Sequence, residues 1–101
     1  MEKDSELVAA VEFLRRRFGD KMAVIDHWEA DFEAVGIARR DNEQRLAYLS
    51  VSPAPGGARF YVALENPPAP GSDLPYTDAG HHADLSLAEA ADLVARHLGL
   101  P

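Results

Sequence analysis

The sequence contains no cysteine and only two lysines, Lys3 and Lys21, so arginine is the main basic residue. Without cysteine the chain can form no disulfide, no thiolate zinc site and no cysteine nucleophile. No apolar run approaches the roughly 20 residues of a transmembrane helix. The first ten residues, MEKDSELVAA, show no apolar segment of a secretory signal. We therefore predict a cytoplasmic protein that does not associate with a membrane.

Positive charge is scarce as well. The 101 residues include ten Lys and Arg against 17 Asp and Glu, which gives a net charge of −7. This balance disfavours binding to nucleic-acid phosphates and would speed encounter with a basic protein. The length and the hydrophobic fraction of 47% predict a single folded domain over residues 1–101. The arginine-, alanine-, glycine- and proline-rich composition is typical of a GC-rich bacterial genome.

Two segments have the periodicity of amphipathic helices. In the first, apolar residues recur at three- and four-residue steps over residues 7–18, and Asp4 or Ser5 could cap its start. The second follows Ser86, which forms a capping-box pattern with Glu89. The second helix has an apolar stripe made of Leu87, Ala90, Ala91, Val94 and Leu98.

Four runs with strand character lie between the helices, over residues 21–28, 33–40, 45–52 and 59–65. The connections between these runs are too short for parallel crossovers, so neighbouring strands should be antiparallel. Residues 66–84 are rich in Pro, Gly and Asp and are predicted to be a loop. The resulting fold class is α+β, with the order α-β-β-β-β-α. We predict a four-stranded antiparallel meander with both helices packed on one face.

Small and large residues alternate along the second predicted strand. We predict that the small ones face the helices, because they permit close approach: Ala34, Gly36 and Ala38. Val35 and Ile37 would then lie on the other face, and Leu46 of the third strand would join the core. Both faces carry apolar groups. We therefore expect the second to be partly solvated, or covered by the 66–84 loop, a second copy of the chain or another protein.

The segment DHWEADFE, residues 26–33, surrounds the single Trp28 with carboxylates. A metal site would need three or four converging ligands, but strand alternation places only His27 and Glu29 on one side, with Glu33 across the hairpin. A docking surface fits better, because an aromatic anchor ringed by carboxylates suits a basic partner. The predicted partner-binding residues are Asp26, His27, Trp28, Glu29, Asp31, Glu33, Tyr76 and Asp78.

Four potential metal ligands lie close together in YTDAGHHAD: Asp78, His81, His82 and Asp84. Adjacent histidines on an irregular backbone could face one ion, but no helical His-x-x-x-His spacing supports a site. A polar loop is the main interpretation. A small metal-binding protein or enzyme that uses His27 and Glu29, or His81 and His82, stays open as an alternative.

Recognisable enzyme motifs are missing. The sequence has no G-x-S-x-G nucleophile pattern, and the glycines of PAPGGARF lack the lysine and serine of a phosphate-binding loop. We therefore predict no enzymatic activity, no cofactor and no metal.

The segments VIDHWEADFEAVGIA and RLAYLSVS, followed by a Pro-rich loop and a terminal helix, resemble bacterial immunity proteins of polymorphic toxin systems. The resemblance covers the whole chain and rests on element order, small size and acidity. It implies a cytoplasmic protein that binds and neutralises a cognate toxin, often a basic nuclease. A secretion chaperone or a regulatory subunit stays open as an alternative, as do a monomer and a homodimer.

Overall fold

The computed structural model describes residues 4–25, 33–68, 70, 71, 73 and 77–100, with backbone alone at 42–44, 53 and 54. The elements are α1 (Ser5–Phe18), a 3₁₀ turn (Gly19–Lys21), β1 (Met22–Ile25), β2 (Ala34–Arg39), β3 (Asn42–Ala54), β4 (Gly57–Asn66), β5 (Thr77–Leu85) and α2 (Leu87–Leu98). Within these ranges, no helix has the length and apolarity needed to cross a membrane.

Side-chain caps explain where both helices begin. The Asp4 carboxylate accepts hydrogen bonds from the backbone N–H groups of Glu6, at 2.8 Å, and Leu7, at 3.4 Å. At the start of α2, Ser86 Oγ accepts from the Glu89 N–H at 3.2 Å. The Glu89 carboxylate accepts in return from the Ser86 N–H at 2.9 Å. The predicted capping box is therefore confirmed, and Asp4 is the cap of α1.

The strands form one antiparallel sheet in the order β1-β2-β3-β4-β5. The predicted antiparallel meander is confirmed for its first four strands. Pro55 and Gly56 alone join β3 to β4, since Ala54 pairs with Gly57. Proline at the first turn position and a glycine with φ 85° at the second suit a type II turn.

The fifth strand corrects the prediction that residues 66–84 form a loop, because β5 pairs with β4. Its sequence, TDAGHHADL, has no apolar alternation that would indicate a strand. At two places, three residues of β5 span two residues of β4. Gly80, with φ 110°, and Asp84, with φ 56°, lie in these two bulges. Pairing with β4, rather than local propensity, therefore makes this segment a strand.

Both helices pack on one face of the sheet, as predicted. The buried residues of α1 and α2 form one continuous core with inward residues of β2, β3 and β4. The central row of this face is Val35, Leu49 and Val62, which are paired across three strands and fully buried. The helices therefore hold the middle of the sheet from one side.

The predicted assignment of faces in β2 is wrong. Val35 and Ile37 join the core beneath the helices, because larger apolar side chains gain more from burial there. The small residues lie on the opposite face, which we call the helix-free face. There Gly36 pairs with Tyr48, and Ala38 pairs with Leu46. Leu46 is therefore buried on the helix-free face and not in the core under the helices.

Candidate functional site

Most of the predicted docking residues lie outside the described part of the chain: Asp26, His27, Trp28, Glu29, Asp31 and Tyr76. Glu33 and Asp78 are described, and both are exposed. Glu33 precedes β2, and its carbonyl oxygen accepts a hydrogen bond from the Val51 N–H at 2.9 Å. Asp78 lies near the start of β5, where its Oδ1 accepts from the Gly80 N–H at 2.8 Å.

The sheet separates these two acidic residues. Glu33 lies beside the row that contains Val51 and Phe60, whereas Asp78 pairs with Glu65. Glu33 and Asp78 are three strand spacings apart across the sheet, and along the strands they are separated by the length of β4 from Phe60 to Glu65. The two offsets together give a separation of about 20 Å. A single small site cannot contain both. The docking surface inferred from the sequence stays a prediction.

An aromatic row crosses the middle of the helix-free face. It consists of Tyr48 on β3, Tyr61 on β4 and His81 on β5. The ring centroids of Tyr48 and Tyr61 are 6.2 Å apart in an edge-to-face arrangement at 75°. Those of Tyr61 and His81 are 6.1 Å apart at 30°. Both tyrosines are half-buried and His81 is exposed. Such ring pairs stabilise one another, so the row offers aromatic contact area on this face.

The strand register explains why the three rings meet. Tyr48 has Gly36 and Ala63 as its cross-strand neighbours, and Tyr61 pairs with Ser50. These small side chains leave space for the rings to approach each other across the strands. An aromatic residue opposite a strand glycine also compensates for the missing side chain.

A groove of about 470 Å³ adjoins the aromatic row on the side of the β3–β4 turn. Its lining consists of Ser50, Ser52, Arg59, Phe60, Tyr61, Ala83 and Asp84. Arg59 Nε donates to Asp84 Oδ1 at 2.9 Å, and Arg59 Nη2 donates to the Asp84 carbonyl oxygen. This double contact fixes the second bulge of β5. The groove therefore has a charged, structured end and an aromatic end at Tyr61.

The histidines have separate surroundings. His81 pairs with Ala63 and His82 with Val62, so the two adjacent side chains lie on opposite faces of β5. His97 of α2 donates through Nε2 to the backbone carbonyl oxygen of Glu65 at 2.9 Å. Among the residues that the structure describes, no three His, Asp or Glu side chains are grouped closely enough to hold a metal ion.

Sequence reasoning did not recognise the aromatic row, although one signal was available. Tyr48 and Tyr61 lie in segments predicted as strands. If Pro55 and Gly56 are taken as a two-residue turn between these strands, Tyr61 falls opposite Ser50. No comparable signal existed for His81, because the segment that contains it lacks strand periodicity.

Comparison of the chain with protein-family models, curated proteins and solved structures gave no match. Its function is therefore inferred from its own surface and charges.

Proposed function

We propose that this chain is a non-enzymatic protein-binding module, with the aromatic row at the centre of its docking surface. The observation that carries the proposal is the half-buried pair Tyr48 and Tyr61 on a sheet face that neither helix covers. Tyrosine is enriched at interface centres, where its ring gives contact area at low entropic cost. Leu49 and Val62, buried on the other face, hold the same strands rigidly from the core side.

A basic protein is the partner that the charges favour. The net charge of −7 attracts it at long range, and Glu65 and Asp78 form a cross-strand pair on the helix-free face. A lysine or arginine of the partner, placed over the ring of Tyr48 or Tyr61, would gain about 0.5–1 kcal/mol by cation–π attraction at an exposed site. The rings would anchor the partner, and the carboxylates would orient its approach.

Within this class we propose an immunity protein that neutralises a cognate bacterial toxin in the cytoplasm. The support is the acidity, the small size, the α+β order of elements and the lack of enzyme motifs in the sequence. A secretion chaperone or a regulatory subunit could use the same face. Inhibition of a toxic partner distinguishes the immunity role from both.

The test uses the product of the gene adjacent to the one that encodes this chain in its native genome. Both proteins are purified, and the dissociation constant and the partner's activity in the complex are measured. Tyr48→Ala and Tyr61→Ala should each weaken binding more than tenfold, as expected for hot-spot residues, mainly through faster dissociation. Tyr61→Phe keeps the ring and Glu12→Ala alters an exposed site on α1, so both controls should bind nearly as the original chain does.

Unchanged affinity in both alanine variants, with native circular dichroism, would exclude the aromatic row as the docking centre. A partner that binds but keeps its toxic activity would contradict the immunity role while leaving the docking surface intact. Absence of binding to the adjacent gene product would also contradict the immunity assignment.

A further inference from the structure

The positive charges of this acidic chain are concentrated in two segments. Residues 15–21 and 39–45 contain seven of the ten Lys and Arg but only three of the 17 Asp and Glu. The fold brings the segments together. The Arg40 N–H donates to the Lys21 carbonyl oxygen at 2.9 Å, and Arg40 Nε donates to the Asp20 carbonyl oxygen at 2.8 Å. The 3₁₀ turn that follows α1 and the β2–β3 turn therefore lie together, and we call the surface that they form the cationic end.

A groove of about 390 Å³ lies in the cationic end, and it is lined by Lys21, Arg39, Arg40 and Asp41. The Arg39 side chain is anchored at the end of α2. Its Nη1 lies 3.3 Å from the Leu98 carbonyl oxygen and 3.2 Å from that of Gly99. Its Nε pairs with Asp41 at 3.0 Å. One wall of the groove is therefore fixed to the helix layer.

Arg40 and Lys21 bring positive charge to the groove. The Arg40 guanidinium donates to the carbonyl oxygens of Asp20 and Met22, at 2.8 and 3.3 Å. These acceptors are neutral, so they hold the side chain in place without cancelling its charge. Within the described ranges, neither Arg40 nor Lys21 forms an ion pair with a carboxylate. The groove thus presents the preorganised Arg40 guanidinium beside the ammonium group of Lys21.

We propose that the cationic end binds a short, carboxylate-rich peptide segment. This would be a second binding surface, separate from the aromatic row. The guanidinium plane matches a carboxylate in geometry and charge. Because its backbone contacts already hold Arg40, binding would cost less side-chain entropy than it would with a free arginine.

Charge distribution favours a short acidic peptide over a long polyanion. Outside residues 15–21 and 39–45, the chain carries three Lys and Arg against 14 Asp and Glu. At moderate salt, electrostatic forces are screened within about 10 Å, so a short segment in the groove feels mainly the cationic end. A nucleic-acid strand would extend past it and meet the acidic remainder of the surface.

The test measures binding of a dye-labelled peptide of alternating Glu and Gly to the whole protein at low salt, by fluorescence anisotropy. Lys21→Glu should weaken binding about tenfold, because it replaces an attraction at contact distance by a repulsion. The matched control is Ala9→Glu with Ala88→Glu, two exposed helical sites outside the cationic end. It has the same net charge as Lys21→Glu and should bind within about twofold of the original chain. Added salt should weaken binding by the original chain.

Three results would overturn the proposal: no saturable peptide binding at low salt, equal weakening in Lys21→Glu and its control, or tighter binding of a single-stranded DNA of the same charge. Arg40→Gln provides a second variant, with circular dichroism as its check on folding. In a folded Arg40→Gln protein, unchanged peptide affinity would also contradict the proposed groove. Partner binding through Tyr48 and Tyr61 is measured separately, so failure of one surface does not imply failure of the other.

Discussion

Replacement of Leu49 or Leu46 by alanine tests the assignment of the two sheet faces. Both residues are leucines of β3, with 0% and 5% of their surface exposed. Leu49 pairs with Val35 and Val62 beneath the helices, whereas Leu46 pairs with Ala38 on the helix-free face. The two variants remove the same atoms from the same strand, so a difference in stability reports on what lies above each face.

The expected loss of stability in each variant depends on how completely the new cavity is enclosed. Leu49→Ala removes apolar contacts and leaves a cavity closed by the sheet and the helix layer, which should cost about 3–5 kcal/mol. Leu46→Ala leaves a gap on a face that neither helix covers. Side chains on this face can shift into part of the gap, so about 2–3 kcal/mol is expected, close to the transfer cost of the three lost carbons. For a chain of this size each kcal/mol lowers the melting temperature by about 4–8 °C.

Urea unfolding followed by far-ultraviolet circular dichroism measures both losses, provided that one cooperative transition is seen and the slope with denaturant is unchanged. The Leu49→Ala protein should also melt roughly 5–10 °C below the Leu46→Ala protein. Equal losses, or a larger loss for Leu46→Ala, would refute the conclusion that the helices cover only the Leu49 face.

Two further predictions concern β5 and α2. Asp84→Ala should destabilise the protein by about 1–2 kcal/mol in urea unfolding, because alanine fits a φ of 56° poorly and cannot pair with Arg59. Asp84→Asn, which tolerates this backbone, should lose less, and equal losses would contradict the backbone argument. The Ser86 backbone N–H lowers the pKa of Glu89 below its ordinary value of 4.5. The stability that the ionised Glu89 carboxylate contributes is therefore present above pH 4.5. It is lost as the pH falls through the lowered folded-state pKa. Glu89→Gln should reduce the acid-induced loss of stability measured by urea midpoints, and an unchanged loss would contradict this role of the cap.

The helices were predictable because their signals are local. Apolar periodicity and the Ser86–Glu89 pair are contained in a few consecutive residues, and the structure has both. The strand β5 was not predictable in this way. Asp, Gly and His residues give it no alternation, and it needs two bulges at Gly80 and Asp84 to follow β4. Its formation depends on hydrogen bonding to a partner strand, which no single window of sequence reveals.

The error in β2 has a different cause. The expectation that Ala34, Gly36 and Ala38 face the helices treated close approach as the dominant requirement. In the fold, the central positions under the helices go to Val35 and Ile37, which bury more apolar area. The small residues instead lie opposite Tyr48 and Leu46 on the other face. The pattern was correctly divided into two sets, but the sets were exchanged between the faces.

The proposed docking surface depends on the small residues of β2 lying on the helix-free face, and on the turn between β3 and β4. Pro55–Gly56 sets the register in which Ser50 pairs with Tyr61 and Tyr48 pairs with Ala63. Because a slip of one residue moves every side chain of a strand to the other face, a different turn length would separate the two tyrosine rings. The short turn therefore places Tyr48 and Tyr61 side by side, while the same register aligns Leu49 with Val62 in the core. The stability of the core thus also fixes the position of the aromatic row.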